Sequence, residues 1–499
     1  MKRQIHKILI ANRGEIALRV IRTCNEMNIR TVAIYSKPDR FAPFVRQADE
    51  AYFIGEAPSA DSYLNQGKII ETARKNRCDA IHPGYGFLAE NSSFVEKLEK
   101  EGLIFIGPSA EAIAKLGSKT SARALAMRLG IPTVPGSTSP LVDESEAANF
   151  AQTLGYPVLV KASAGGGGKG MKIVSSSSGF TSAFRSSRAE SKSAFGDDRI
   201  YIEKYLMNPR HIEVQLLSDI KGNIVHLGER ECSIQRRHQK LIEESPANRL
   251  DKKLRANLYE AAIELALRGN YSNAGTVEFL LDDDDNFYFL EMNSRLQVEH
   301  PVTEFRTGID LVREQIDIAG GARLKYRQKD IILSGHAIES RICAEDPSDN
   351  FFPSTGTISC LVTGGGIGIR EDRGIEEGSE ITPYYDSLLS KLIAWGRDRD
   401  EALGRMTRAL GEYRLFGLKN NLALLHWIMQ HPKFQKGTYS TTFLENYLDP
   451  SIFAEHTEEE THLAALFTVL QHTAGTETRM KTSNQLRSGW LKKRVDSLR

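Results

Sequence analysis

No apolar run among the 499 residues approaches the ~20 needed for a membrane-crossing helix. The start, Met1-Lys2-Arg3, leads to neither a long apolar core nor a small-residue cleavage site, so it reads as the approach to a first strand and not as a signal peptide. Neither sign of charge is in excess. Lys and Arg number 65 against 64 Asp and Glu, a net charge of +1, which supplies no general attraction to nucleic acid. Cysteine is scarce and scattered: Cys24, Cys78, Cys232, Cys343 and Cys360 are odd in number and form no C-x-x-C. That excludes a disulfide framework or a zinc site and points to a reducing, cytoplasmic setting.

The common phosphate-binding glycine signatures are missing as well. Ala11-Asn12-Arg13-Gly14-Glu15 follows the first strand where a Rossmann dinucleotide site needs its fingerprint. Gly165 to Gly170 matches G-x-G-x-x-G by letter, but it runs into a strand and no G-K-[ST] follows. The tetra-aspartate Asp282–Asp285 is no EF-hand, because Phe287 and Asn293 stand where Gly and Glu are required. What remains is a composition, 40% hydrophobic and 26% charged, typical of a globular protein long enough for several domains.

The most informative stretch runs from Gly275 to Pro301. Two β-rich runs, Thr276 to Leu281 and Phe287 to Met292, flank a polar turn and predict a hairpin. A register symmetrical about the turn sets Glu278 directly opposite Glu291, with Asn293 on the face of Glu291. Like charges facing across a ladder destabilise it unless compensated, and two carboxylates with an amide oxygen suit Mg²⁺. The duller alternative is a solvated acidic hairpin. Against it, Arg295, Gln297 and Glu299 follow at alternate positions, an ordered polar set that surface strands rarely need.

Along the chain, residues 7 to about 117 alternate short apolar runs with helical patterns, which predicts βαβ units around a parallel sheet. Strands are expected at Lys7 to Ala11, Thr31 to Tyr35, Ala80 to His82 and Ile104 to Ile106, with a helix over Glu15 to Glu26. The glycines of His82 to Asn91 lie at a strand's C-terminal end and either form a turn or meet a ligand. Lys161 ends the next strand, before the four-glycine run containing Lys169. Such a run is either a plain flexible loop or a hairpin folding over phosphate oxygens, and the lysines favour phosphate. Ile200 to Leu206 and the alternating His211 to Leu216 are expected strands. Glu229 to Lys240 is dense in donors, either an exposed basic strand or a segment for triphosphate and bicarbonate. A helix spans Lys252 to Arg268, and a third region opens near Leu333 with the alternating strand Gly335 to Pro347.

Six runs taken together resemble the biotin carboxylase family: Ala11 to Ala17, His82 to Asn91, Lys161 to Met171, Gln235 to Lys240, Glu291 to Thr303 and Glu339 to Pro347. The similarity extends from about residue 3 to about 448. It implies an α/β and α+β multidomain fold. Residues 1–117 would form a Rossmann-like parallel sheet and 118–330 an ATP-grasp domain with a mobile glycine-rich lid at about 133–205. An antiparallel sheet domain would span 331–448, with a tail at 449–499. The resemblance further implies that Lys119, Lys161, Gly167, Gly168, Glu203, Lys204, Leu206, His211, Gln235 and His238 contact ATP. It gives Glu278, Glu291 and Asn293 to Mg²⁺ or Mn²⁺, and Lys240, Arg295, Gln297 and Val298 to bicarbonate. Glu299 would be the base, and Arg341 would hold the enolate of biotin. Read without the family, Arg295 and Glu299 could be an ordinary ion pair and His238 a core histidine.

The implied reaction is that of an ATP-dependent ligase carboxylating biotin through carboxyphosphate. No Ala/Val-Met-Lys-Met biotin-acceptor signature occurs, so biotin is expected on a separate carrier protein, and the carboxyltransferase on another subunit of a carboxylase. The family suggests a homodimer. The final acceptor stays open: acetyl-CoA in fatty acid biosynthesis, propionyl-CoA, pyruvate or another acid. Other readings are an ATP-grasp ligase with a different acceptor and a silent nucleotide-binding regulator. The tail could carry an amphipathic helix from Glu459 to Thr473, with Leu463, Leu466, Phe467 and Leu470 on one side.

Overall fold

A computed structural model describes residues 4–162, 171–195 and 199–453, together with Leu466 and Val469. The expected tail helix and the glycine run lie outside that set, except that Leu466 and Val469 are helical and exposed.

The first strands form a parallel sheet in the order β3-β2-β1-β4-β5: β1 Lys7–Ile10, β2 Arg30–Ser36, β3 Glu50–Gly55, β4 Ala80–His82 and β5 Ile104–Phe105. Burial of Ile8, Leu9, Ile10, Val32 and Ile34 at 0% is what a parallel sheet covered on both faces requires. The helix Gly14–Glu26 covers it, starting from Gly14 at φ +65°. Asn12 donates through Nδ2 to the carbonyls of Pro83 (2.6 Å) and Tyr85 (2.7 Å), tying the end of β1 to the glycine turn after β4. A Cβ on Gly84 would stand 2.9 Å from that Nδ2 at a φ of +62°, so at Gly84 the turn reading holds, for a steric reason.

A three-stranded sheet follows, with β6 Val158–Ala162 between β7 Met171–Val174 and β8 Ile200–Lys204. Its core is Val158, Val160, Val174, Ile200 and Ile202, packed with Phe180 and Phe184 of the helix Phe180–Phe195.

The largest element is one antiparallel sheet of eight strands. Its order is β13-β12-β9-β10-β11-β14, then Leu388–Gly396, then Ile369–Arg373. Here β9 is Arg210–Ser218, β10 Ile224–Arg236, β11 Gln239–Ser245, β12 Asn273–Leu281, β13 Phe287–Asn293 and β14 His336–Cys343. The antiparallel strands expected of the third region are therefore continuous with those of the middle one, because β14 pairs along β11. The donor-dense run Glu229 to Arg236 is the second half of β10, not a separate exposed strand, and it is buried as far as Gln235.

Alternation divides this sheet chemically. Ile212, Val214 and Leu216 of β9 with Val277, Phe279 and Leu281 of β12 form one apolar face. It is covered by the helix Lys252–Arg268, whose Leu254, Leu258, Ala262 and Leu265 are buried against it. The intervening residues, His211, Glu213, Gln215, Thr276 and Glu278, are buried on the other face.

Phe279 is the anchor of the apolar face, with its ring edge-on to Phe287 at 5.6 Å and to Phe289 at 6.4 Å. Phe279→Ala is expected to cost about 3–5 kcal/mol, read as a lower midpoint of urea unfolding. An unchanged midpoint would show that this face is not core.

Candidate active site

The hairpin at the sheet edge sets Glu278 opposite Glu291, as the sequence reading expects, and Thr276 opposite Asn293. Simple symmetry is not the route. Leu281 pairs with Phe287 and Phe279 with Phe289, a register that alone would bring Leu290 against Glu278. A bulge at Leu290 absorbs one residue and delivers Glu291 instead. On the inner side of β12, Glu278 pairs with Glu213 of β9, which pairs with Arg230 of β10. Three carboxylates and a guanidinium thus sit in one row on one face.

Two cations, one fully and one largely buried, compensate that row. Arg230, fully buried, donates to Glu213, to Gln215 Oε1 (2.7 Å), to Thr303 Oγ1 (2.9 Å) and to Thr276 Oγ1 (3.2 Å). Lys240, at the start of β11, points Nζ at Glu213 (2.6 Å), Glu278 (3.0 Å) and Glu299 (2.6 Å). Glu299 is at 0% exposure immediately before the helix His300–Thr307, and its second oxygen accepts from Arg341 Nη2 at 2.9 Å. Arg341 also donates through Nε to Glu243 at 2.6 Å. Burying charges is tolerable only where each is paired, and here every cation has more than one anion or acceptor.

These contacts fix the charge states. Burial works against ionising Glu299, but Lys240, Arg341 and Arg230 outweigh it and hold its pKa well below the ordinary range. Glu278 is lowered in the same way, burial being overcome by Lys240 and His211. Lys240 is pushed the other way: burial favours its neutral form, yet Glu213, Glu278 and Glu299 raise its pKa well above normal. The resting site therefore holds ionised Glu278 and Glu299 around a protonated lysine.

The segment after β13 carries the next donors. Arg295 donates to Glu90 Oε2 (2.8 Å), Gln297 Oε1 (2.8 Å) and Asn293 Oδ1 (2.8 Å). Gln297 and Asn293 each donate to Glu278, at 2.9 and 2.8 Å. The ordinary Arg295–Glu299 ion pair is thus not what Arg295 makes; its carboxylate partner is Glu90, from the motif after β4. The carbonyl of Val298 is held by Lys391 Nζ at 2.8 Å.

Among the residues expected at ATP, His211 links Gln235 (2.8 Å) to Glu278 (2.8 Å). Lys119 reaches Glu291 at 2.8 Å. Lys161 and Arg123 flank Glu203 at 2.5 and 2.9 Å on the three-stranded sheet, while Lys204 Nζ lies on the carbonyls of Gly155 and Tyr156. Leu206 is half-buried just past β8. His238 is exposed in the positive-φ turn between β10 and β11, so the core-histidine reading of it fails. Gly167 and Gly168 lie outside the described residues.

The sequence reading missed Glu213, Arg230, Glu243, Glu90 and Lys391. The strict alternation of β9 carried a signal for Glu213, which shares a face with His211 and Gln215; Arg230 and Glu243 became visible through strand pairing, Glu90 and Lys391 only through tertiary contacts.

Glu278, Glu291 and the Asn293 amide fit a hard divalent cation by donor chemistry. Each carboxylate is at present answered by an ammonium group, Lys240 or Lys119, the substitution expected where cationic charge belongs.

Comparison with known proteins agrees with this geometry. Residues 4–113 match the model of the biotin carboxylase N-terminal domain. Residues 118–327 match the ATP-binding domain of the carbamoyl-phosphate synthase L chain. Residues 339–446 match the biotin carboxylase C-terminal domain. One subunit of the pyruvate carboxylase of Methanothermobacter thermautotrophicus is 51% identical over 441 residues, covering 88% of this chain and 90% of that protein. A biotin carboxylase of Nostoc sp. is 51% identical over 439 residues, covering 88% and 98%. The biotin carboxylase domain of Hydrogenobacter thermophilus 2-oxoglutarate carboxylase, solved as a dimer with MgADP, ADP and bicarbonate, is 47% identical. It superposes with a TM-score of 0.85 over 91% of this chain and 100% of that one. With its fold and its sequence in agreement, the chain belongs to the biotin carboxylase family.

Proposed function

We propose that the chain is the biotin carboxylase subunit of a biotin-dependent carboxylase, an ATP-dependent ligase that carboxylates biotin borne on a separate carrier protein. The observation that carries this reading is Glu299 clamped between Lys240 and Arg341, at 2.6 and 2.9 Å. It joins a group able to take a proton from bicarbonate to a cation able to hold the enolate oxygen of biotin.

Bicarbonate is a poor electrophile, and phosphorylation at an oxygen gives it a leaving group. Lys240, Arg295, Gln297 and Val298 hold the anion near Glu278, and Glu299 accepts its proton as the oxygen attacks the γ-phosphorus of ATP. ADP leaves and carboxyphosphate forms. A divalent cation held by Glu278, Glu291 and Asn293 would supply neutralisation of phosphate charge, the main requirement of phosphoryl transfer. Lys119, Lys161, His211, Gln235, His238, Gly167, Gly168 and the Glu203–Leu206 segment bind the nucleotide. Carboxyphosphate then gives CO₂ and phosphate; that phosphate takes the ureido N–H proton of biotin, and the nitrogen of the resulting enolate attacks CO₂ while Arg341, protonated at any working pH, stabilises the enolate oxygen.

Domain limits of 1–117, 118–330 and 331–448 follow from this assignment. Partners are the biotin carboxyl carrier protein and the carboxyltransferase of the same assembly, and the chain forms a homodimer in the cytoplasm. The relative drawn from a multi-subunit pyruvate carboxylase and the dimeric Hydrogenobacter domain support these assignments. No helix among the described residues is long and apolar enough to cross a membrane. A ligase with a different acceptor is disfavoured, because both biotin carboxylase domain models flank the ATP-binding one. The paired charges also count against a silent regulator.

Bicarbonate-dependent ATP cleavage stimulated by free biotin tests the function. In Arg341→Ala the stimulation should fall by about 100-fold or more, with Arg341→Lys a poor rescue; intact stimulation would remove Arg341 from the enolate site. For the metal, Glu278→Gln combined with Glu291→Gln should abolish Mn²⁺ binding in calorimetry and reduce ATP turnover by about 100-fold or more. Normal Mn²⁺ affinity in that variant would place the metal elsewhere.

A further inference from the structure

Beside Arg341 lies a pair of carboxyls that the reaction as described does not use. Glu243 on β11 and Glu339 on β14 are direct partners across the antiparallel ladder, so their side chains leave the sheet on the same face as neighbours. Both are at 0% exposure. One oxygen of Glu243 accepts from Arg341 at 2.6 Å. Its other oxygen, and both oxygens of Glu339, have no hydrogen-bond partner among the described residues.

Nearby cations do not resolve this. Arg341 already answers Glu299 at 2.9 Å. Lys391, opposite Arg341 on the next strand, is held by Glu15 at 3.2 Å and by the Val298 carbonyl at 2.8 Å. Lys240 is occupied by Glu213, Glu278 and Glu299. Tyr85 donates to Glu15. Two ionised carboxylates without a free donor cannot stand face to face in a buried site, whereas one proton between them removes one charge and joins the free oxygen of Glu243 to one oxygen of Glu339.

We propose that Glu243 and Glu339 share one proton and act as the positioning pair of Arg341: protonated Glu339 donates to the free oxygen of Glu243, whose other oxygen stays charged on the guanidinium. The consequence for the reaction rests on the biotin carboxylase reading. When Glu299 takes the bicarbonate proton it loses its charge and its grip on Arg341. Glu243 keeps that grip, so the guanidinium stays in place for the enolate that forms next. The shifts agree in direction. Burial pushes Glu243 up to about 7 although Arg341 pulls it back, and burial raises Glu339 well above the carboxylate range against the pull of Lys391.

A shared proton has a stability signature independent of turnover. An unfolded glutamate loses its proton near pH ~4.3, while the buried pair keeps one. The native state therefore binds more protons above that pH, and stability falls as pH rises until the pair itself titrates. Glu339→Gln removes the proton while retaining a donor.

Three readouts test the proposal on the full-length protein. Infrared difference spectra at neutral pH should show a protonated carboxyl C=O band that is absent in Glu339→Gln. The fall of Tm between about pH 6 and 9 should be shallower in Glu339→Gln than in the parent. Glu339→Gln should keep biotin-stimulated ATP cleavage within about threefold, whereas Glu243→Gln should lose about tenfold or more in kcat with KM for ATP unchanged. The proposal is overturned by a carboxyl band that survives Glu339→Gln, by parallel Tm curves, or by a Glu339→Gln variant as slow as Glu243→Gln. If Glu339→Gln does not fold, the parent spectrum decides alone: a protonated-carboxyl band that disappears on raising the pH supports the pair, and no band overturns it. Failure of biotin stimulation in the parent would sink the functional reading yet leave the spectrum and the Tm curve to judge the proton.

Discussion

The ammonium group of Lys240 is the point on which the site depends. It lies within 3.0 Å of three carboxylates drawn from three different places: Glu213 on β9, Glu278 on β12 and Glu299 ahead of the helix His300–Thr307. Without it, Glu213 and Glu278, which oppose each other across the ladder and are both buried, would repel at close range. A lysine suits this post better than an arginine would, because a compact ammonium can meet three oxygens in three directions. Its charge also makes the place attractive to a small anion once any one carboxylate is neutralised or engaged elsewhere.

The eight-stranded sheet is the means by which such a cluster can be buried at all. Apolar residues on one face hold the sheet against the helix Lys252–Arg268, so the other face is free to carry charge across several strands. The pairing of β14 with β11 extends that face from the row of Glu278, Glu213 and Arg230 to Arg341 without an intervening loop. The guanidinium is thereby brought to Glu299 by ladder hydrogen bonds, which fix position far better than two domains closing on one another.

Much of this was legible in the sequence. The hairpin and the helix Lys252–Arg268 could be read from alternation and helical periodicity, and the six motifs named the family. The bulge at Leu290 could not be read, since no residue there demands a positive φ, and the facing of Glu278 and Glu291 depends on it. Arg230, Glu243 and Lys391 were also invisible. Each acts through a partner distant in sequence, which strand order decides for Arg230 and Glu243 and the packing of loop and helix decides for Lys391. His238 shows the opposite limit: its motif was legible, but its exposed place in the turn was not. Glu90 was quoted within a motif, yet its bond to Arg295 joins residues 205 positions apart.

Lys391 has a consequence for how the protein can be divided. Its Nζ, fully buried on a C-terminal strand, holds the carbonyl of Val298 in the middle region and a carboxylate oxygen of Glu15 on the first helix. Three stretches of chain that family models treat as separate modules therefore share one buried charge. Cutting the chain at a module boundary, or exchanging one module for a relative's, would leave that charge with an incomplete set of partners beside the segment from Arg295 to Glu299. The modules are units of sequence inheritance, while the compact unit of the fold contains all three together.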